Sequence, residues 1–256
     1  MKVSACITIN KRSIADLAVV FESMRKQEHD EFIIVLDRPE PGINDYARSY
    51  WKDDSRTRFI DIIGEPGWKS PVTAWNKGFE AVTGDVVYCF SSETIQAPGN
   101  VARAKALLVG MDRAIQGKAV CSCGPEGQEV NWGGSAPGNL LCDAAHPRPL
   151  GFIWAAPMDR VRSIGGYDPF FAGGLWYDDA DFFLRLWKTG LNFLFADSIH
   201  GIHLHHDRPG LATPEGQAGI QRNAALMQQK HGTVHPWNSL PRITTYGNGW
   251  TEWKHV

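Results

Sequence analysis

The sequence predicts an α/β fold with a mostly parallel central sheet flanked by helices, and three observations carry that prediction. Through residues 2–90, apolar runs of strand length alternate with amphipathic stretches of helix length. Several of those runs break abruptly into polar residues at their carboxyl ends, as parallel strands do where they meet a ligand-binding edge. The 256 residues are 43% hydrophobic and 21% charged, enough apolar material for a large core.

Residues 2–10 form a buried strand, its apolar run Val3 to Ile9 followed at once by Lys11 and Arg12. Ser13 or Asp16 then opens an amphipathic helix to about Lys26. Phe32-Ile33-Ile34-Val35-Leu36 lies in the second strand, 31–37, which ends at Asp37-Arg38-Pro39. A short helix over 45–51 leads to a third strand, 57–63. Residues 70–82 read as a helix, with Pro71 tolerated in its first turn. The fourth strand, 85–90, is apolar enough to be central, and a helix is predicted from about 99 to 115. A loop-rich Gly/Pro stretch fills 122–149. Strand 151–156, a short helix at 158–163, the turn Gly165-Gly166-Tyr167-Asp168, helix 178–189 and strand 192–195 follow. Residues 214–231 are helical, and the last 25 form an irregular tail bearing tryptophans. The expected organisation is one main domain over 1–212, with the helix and tail of 213–256 packed on it.

Charge and cysteine usage narrow the function classes. Lys plus Arg total 26 against 28 Asp plus Glu, a net charge of −2, so nucleic acid is not expected as a partner. No stretch approaches the roughly 20 apolar residues that span a bilayer. Five sparse cysteines, an odd number, suit free thiols in a reducing, cytoplasmic setting. Cys121, Cys123, Cys142 and His146 lack a usual zinc spacing. The first strand is followed by no GxGxxG and the chain holds no GxxxxGK[ST], which counts against dinucleotide and P-loop sites.

Four places have the residue types that chemistry needs. Asp37, at a strand's carboxyl end, is able to accept from a base N–H or ribose hydroxyl, or to cap the turn before Pro39. Ser91-Ser92-Glu93-Thr94 follows the central strand and offers oxygen ligands suited to a hard cation. His200, His203, His205 and His206 lie within seven residues, and period two puts His203 and His205 on one face of a strand. Asp178-Asp179-Ala180-Asp181 opens a helix, where carboxylates serve either as catalytic groups or as caps, with Asp181 paired to Arg185 at i+4.

In order, these segments resemble a glycosyltransferase of the GT-A fold, closest to family 2. Residues 3–10 and 32–37 resemble its first two strands. Ala74-Trp75-Asn76-Lys77-Gly78 with Ala81-Val82-Thr83-Gly84-Asp85 is similar to its A-R-N-x-G…A-x-G-D passage. Counting on places Ser91-Ser92-Glu93 on the family's DxD, with only the last acid kept. Gly165-Gly166-Tyr167-Asp168 and Asp178-Asp179-Ala180-Asp181 with Arg185 and Gly190 resemble G-G-[FY]-D and E-D-x-D-x-x-x-R-x-x-x-x-G. Trp176 and the R-x-W-x-x-G of 185–190 also resemble the galactosyl- and N-acetylgalactosaminyl-transferase group.

The resemblance implies transfer of a sugar from a nucleoside diphosphate, most readily UDP, to an acceptor hydroxyl on a glycan or other molecule. Thr8, Asn10, Asp37, Asn76, Lys77, Ser91 and Ser92 then face the nucleotide, and Gly165 and Gly166 admit the donor sugar. Glu93 and His203, with His205 in reserve, hold Mn2+ or Mg2+. Asp179 deprotonates the acceptor, a role worth typically about 10²–10⁴-fold, with Asp178 the alternative, and Trp176 stacks on an acceptor ring. The glycine-rich loop 124–138 and Trp237, Trp250 and Trp253 are lid candidates. Three other classes compete: a nucleotidyltransferase, which needs a better phosphate loop than Asn10-Lys11-Arg12-Ser13; a non-catalytic sugar-binding relative; and a histidine-cluster metallohydrolase.

Overall fold

The computed structural model describes residues 1–10, 12–40, 42–62, 70–121, 140–204, 209–238, 245–246 and 249–255. β1 (Val3–Ile9), β2 (Glu31–Asp37), β3 (Thr57–Ile62) and β4 (Val86–Phe90) are mutually parallel, in spatial order β3-β2-β1-β4. Three crossover helices connect them: α1 (Ile14–Arg25), α2 (Ile43–Trp51) and α3 (Val72–Ala81). Ser13 caps α1, its hydroxyl accepting from the Asp16 N–H at 3.0 Å, and Leu17, Val20, Phe21 and Met24 at helical spacing give it one buried face.

After β4 come β5 (Thr94–Gln96), α4 (Asn100–Leu107), β6 (Arg113–Cys121), β7 (Leu140–Cys142) and β8 (Ile153–Pro157). α5 (Met158–Ser163), a 3-10 turn over Pro169–Gly173, α6 (Asp178–Trp187), β9 (Asn192–His203) and α7 (Pro214–His231) follow, and then β10 (Thr245–Tyr246) and β11 (Trp250–Trp253). The sheet continues beyond β4 as β8-β6-β9-β11-β10, with β8 antiparallel to both β4 and β6, and β9 parallel to β6. Alternate side chains of each strand enter opposite cores. Ala5, Ile7, Phe32 and Ile34 meet α1, α2 and α4, whereas Cys6, Ile33 and Val35 meet α3, α6 and Met227 of α7.

Three predicted elements change. The helix expected to 115 stops at Leu107; Met111 turns the chain at φ +53°, and Arg113–Cys121 is a strand between β8 and β9. The helical spacing of Val101, Ala104 and Leu108 does end there, but Gln116 and Gly117 disguise the strand. A Cβ on Gly117 would meet Ile153 and the Ile199 carbonyl at 2.9 Å, and the β6–β9 register shifts just after it. The strand expected to end at 195 reaches His203, its apolar pattern interrupted opposite that shift.

The tail is not wholly irregular. β10 and β11 form a hairpin that extends the sheet, Trp253 lying opposite Phe193. Trp253 is fully buried, 4.7 Å from the Phe195 ring and 5.6 Å from that of Trp237. It therefore belongs to the core at the start of β9, the opposite end from His203, and is no lid; Trp250 pairs with Ala196 at the same end. Residues 124–138 lie outside the described residues.

Candidate active site

The chain runs β1, β2, β3 outward and then returns to place β4 on the other side of β1, so the order of strands reverses between β1 and β4. The crevice outside the carboxyl ends of strands at such a point is where open α/β sheets bind ligands. A continuous path of contacts crosses this rim. Asp37 closes β2, its carboxylate accepting from Asn10 Nδ2 at 3.2 Å and from Arg38 Nε at 2.9 Å. Two residues past Asn10, Arg12 donates through Nε to Ser92 Oγ at 3.1 Å and ion-pairs with Glu93.

The Glu93 carbonyl accepts from the Leu204 N–H at 2.7 Å, and Thr94 pairs with His203 in the β5–β9 ladder. The buried His203 ring meets Phe152 edge-on at 4.8 Å, and the Phe152 carbonyl accepts from the Ser91 N–H at 3.0 Å. Beside Phe152, the Gly151 N–H donates to Asp179 Oδ2 at 2.9 Å. Residues 37, 93, 203 and 179 thus share one rim.

Asp178 and Asp179 form the first turn of α6. They are not the helix cap: the cap is Tyr177, at φ +64° and without a side-chain cap bond. Asp179 Oδ1 also accepts from the Tyr167 hydroxyl at 3.0 Å, so two donors fix its orientation. Both carboxyls are half-buried. Desolvation, then repulsion from Asp179, pushes Asp178 up to about 7, outweighing the N–H groups of the first turn and the Ser70 side chain. Desolvation also raises Asp179, against the Gly151 and Tyr167 bonds. A carboxylate so raised is a stronger base than an ordinary aspartate, as proton abstraction near neutral pH needs.

Just before this helix, Trp176 and Tyr177 are consecutive non-glycine residues in the left-handed region, at φ +62° and +64°. The arrangement costs backbone energy and persists where its surroundings enforce it. The enforcing group is Asn223 of α7, fully buried, whose Nδ2 donates to the Trp176 carbonyl at 2.9 Å and the Phe171 carbonyl at 3.1 Å. Trp176 itself is 49% exposed, a flat aromatic face beside the two carboxylates.

Asn76 of α3 grips the backbone of Tyr167 from both sides. Its Nδ2 donates to the Tyr167 carbonyl and its Oδ1 accepts from the Tyr167 N–H, each at 2.8 Å. It sets the turn that delivers the Tyr167 hydroxyl to Asp179. Lys77, next in sequence, points to Glu80 at 2.8 Å on an exposed helix face. Gly165 and Gly166 both have positive φ, +73° and +72°, and serve that turn. Thr8 is buried in β1 opposite Val35, and Ser91 Oγ shares a 2.6 Å hydrogen bond with Thr94 Oγ1.

Asp181 takes another part. Its carboxylate is fully buried and holds Arg185 Nε at 2.7 Å, Lys230 Nζ at 2.6 Å and His231 Nε2 at 2.8 Å, tying α6 to α7. Desolvation alone would raise its pKa; Lys230, Arg185 and His231 outweigh it and hold the carboxyl below its usual range.

The donor set for a divalent cation is thin. Glu93 and His203 are neighbours, but His205 lies outside the described residues, as does His206. Among the described residues no group of three His, Cys, Asp or Glu side chains is arranged to hold a metal. The Glu93 carboxylate is already engaged by a guanidinium, and positions 91 and 92 supply hydroxyls where the resemblance expects an acid. These residues do not fit a hard-cation site, which needs oxygen ligands converging on one point.

Residues 4–116 match the sequence family "Glycosyl transferase family 2". No curated protein matches the sequence. Among solved structures, the fold superposes on a mannosyltransferase from Pyrobaculum calidifontis in complex with GDP-Man and Mn2+, at 12% identity and a TM-score of 0.62 over 92% of this chain and 66% of that one. It superposes likewise on GalNAc-T7 with UDP, GalNAc and Mn2+, at 12% identity and 0.63 over 90% and 49%, and on S. aureus TarS at 12% and 0.57 over 89% and 40%. The chain therefore spans less than two thirds of the length of these neighbours. The fold is GT-A, and residues 4–116 of it carry the family 2 match. No described helix is long and apolar enough to cross a membrane.

Three groups of the site escape a reading of the sequence. Arg12 sits in a segment that reads as a poor phosphate loop, Tyr167 in a motif whose glycines draw attention, and Gly151 acts through its backbone.

Proposed function

We propose that this protein transfers a sugar from a nucleoside diphosphate donor, a UDP-sugar, to a hydroxyl of a glycan or other acceptor, with Asp179 as general base. The supporting observation is the contact path from Asp37 through Arg12, Glu93, His203 and Phe152 to Asp179, which sets a base with raised pKa on the rim where the strand order reverses. The nucleotide lies over the ends of β1, β2 and β4, its base N–H toward Asp37 and its ribose and phosphates toward Asn10, Ser91 and Ser92. The acceptor enters over Trp176. As its oxygen bonds to the anomeric carbon, its proton passes to Asp179, and the bond from that carbon to the β-phosphate oxygen breaks with its electron pair leaving on the diphosphate.

Mn2+ accompanies GDP-Man in one structural neighbour and UDP with GalNAc in another; no step here is drawn through a metal. The test is Asp179→Asn, which keeps size and a hydrogen-bond acceptor. Released nucleoside diphosphate is measured with UDP- and GDP-sugars and an acceptor panel, and nucleotide binding by calorimetry. Turnover should fall by about 10²–10⁴-fold with UDP affinity kept. Normal turnover in the variant would place the base elsewhere, and tighter binding of GDP than UDP would reassign the donor.

A further inference from the structure

The loop after β1 and the loop after β4 flank the switch-point crevice, and a cation is built into their junction. Arg12 Nε rests on Ser92 Oγ at 3.1 Å while its terminal nitrogen pairs with Glu93. Its side chain keeps 22% exposure and that of Glu93 11%, so the pair is held by protein yet open to the crevice. A guanidinium stays charged at any working pH, and its planar fork matches two phosphate oxygens. Glu93 is the single acid left in a segment otherwise of hydroxyls, and among the described residues no group of three His, Cys, Asp or Glu side chains is arranged to hold a metal. A carboxylate whose partner is a guanidinium orients that guanidinium.

The geometry points to Arg12 as the positive charge that receives the donor's diphosphate, with Glu93 as its positioning residue and no divalent cation required. This rests on the nucleotide-sugar reading above. On binding, the fork turns from Glu93 toward the diphosphate, or bridges the two. As the glycosidic bond breaks, the charge arriving on the β-phosphate oxygen is met by a donor already in place, and the acceptor's proton goes to Asp179. The two roles open to Glu93 predict opposite signs. If Glu93 holds a metal, neutralising it weakens nucleotide binding; if it holds Arg12, neutralising it removes a competitor for the guanidinium and a repulsive charge beside the diphosphate.

The experiment is calorimetric titration of the full chain with UDP, and separately GDP, in EDTA and in Mn2+, for wild type, Arg12→Gln, Arg12→Lys and Glu93→Gln. Circular dichroism and melting temperature establish that each variant is folded. Expected are wild-type affinities equal within about twofold in EDTA and Mn2+, and binding roughly 10- to 100-fold weaker in Arg12→Gln, the scale of a lost charge-assisted hydrogen bond. Arg12→Lys should fall between, and Glu93→Gln should bind as tightly as wild type or tighter. Binding that needs Mn2+ and disappears in Glu93→Gln would overturn the inference while leaving the nucleotide-sugar reading standing, as would wild-type affinity in Arg12→Gln. Failure of wild type to bind either nucleotide, with metal or without, would remove both.

Discussion

Gly165 and Gly166 are adjacent, share nearly the same backbone conformation, and should respond unequally to the same substitution. Both have φ close to +72°, where an alanine costs about 1–2 kcal/mol. A Cβ on Gly165 would meet nothing within 4 Å, so Gly165→Ala should cost only that strain. A Cβ on Gly166 would lie 2.4 Å from Asn76 Oδ1, the atom that accepts from the Tyr167 N–H. Asn76 must then withdraw, and its two bonds to Tyr167, worth about 1 kcal/mol each, go with it. Gly166→Ala should therefore cost about 3–4 kcal/mol. At roughly 2–4 °C per kcal/mol for a chain near this size, the melting temperature should fall by about 2–8 °C for Gly165→Ala and about 6–16 °C for Gly166→Ala. Turnover separates them further, because only the second loosens the Tyr167 hydroxyl on Asp179. Thermal and urea denaturation, read beside kcat, make the comparison. Equal losses, or a milder loss at 166, would refute the claim that close approach of Asn76 is what demands glycine there.

Two more outcomes follow from the carboxylates of α6. The Asp178–Asp179 pair ionises late, so kcat should rise with pH along a limb displaced above the ordinary aspartate range. Asp178→Asn leaves the desolvation that raises Asp179 in place, so the limb read in a pH–rate profile should stay displaced; a limb that falls back to the ordinary aspartate range would assign the displacement to Asp178 instead. Asp181→Ala leaves Arg185 and Lys230 without their shared carboxylate. The expected loss is about 2–4 kcal/mol, less than for a fully buried pair because both cations keep partial access to water. Since Asp181 is depressed in the folded protein, its contribution is present above the unfolded carboxylate pKa and disappears as pH falls through the folded value. Urea unfolding of wild type and Asp181→Ala across pH 2–7 should converge at the acid end; a constant gap would assign the loss to packing.

The parallel half was legible because its signals are local. β1, β2 and β4 are each a run of apolar residues ended by a polar break, β3 mixes apolar residues with Arg58 and Asp61, and each helix repeats at its own period. The antiparallel half was less so, because β6 is interrupted by Gln116 and Gly117 and β11 is four residues long, both made into strands by their neighbours. Site residues divide the same way. Asp37 and Asp179 are visible as acids at the ends of patterned segments. Arg12 acquires its meaning from Ser92 and Glu93, eighty residues away, and nothing near it in the chain marks that pairing. The helix-capping reading of Asp178 was the stronger one from that segment taken alone, and it fails because Tyr177 takes the cap position in a left-handed conformation beside the bond from the buried Asn223 to the Trp176 carbonyl.

Those two halves also divide the labour of the site. The ends of β1, β2 and β4 carry Asn10, Arg12, Asp37 and Ser92, all on the parallel side of the switch point. Asp179 comes instead from α6 and is oriented from two directions, by the backbone just before β8 and by Tyr167 on the turn that Asn76 grips. Phe152 joins the halves: its carbonyl is bonded to Ser91, its ring lies on His203, and its chain neighbour Gly151 holds Asp179. The β4 loop therefore has a short mechanical path to the Asp179 carboxylate, through one residue whose backbone is fixed on one side and whose ring is fixed on the other. The spacing between the β4 loop and the backbone that holds Asp179 is set by β-sheet register, Phe90 opposite Ile153, and register is a discrete quantity that loop motion does not alter. The geometry of the rim thus rests on the most rigid element available, while Arg12, Ser92 and Glu93 stand on loops at its edge.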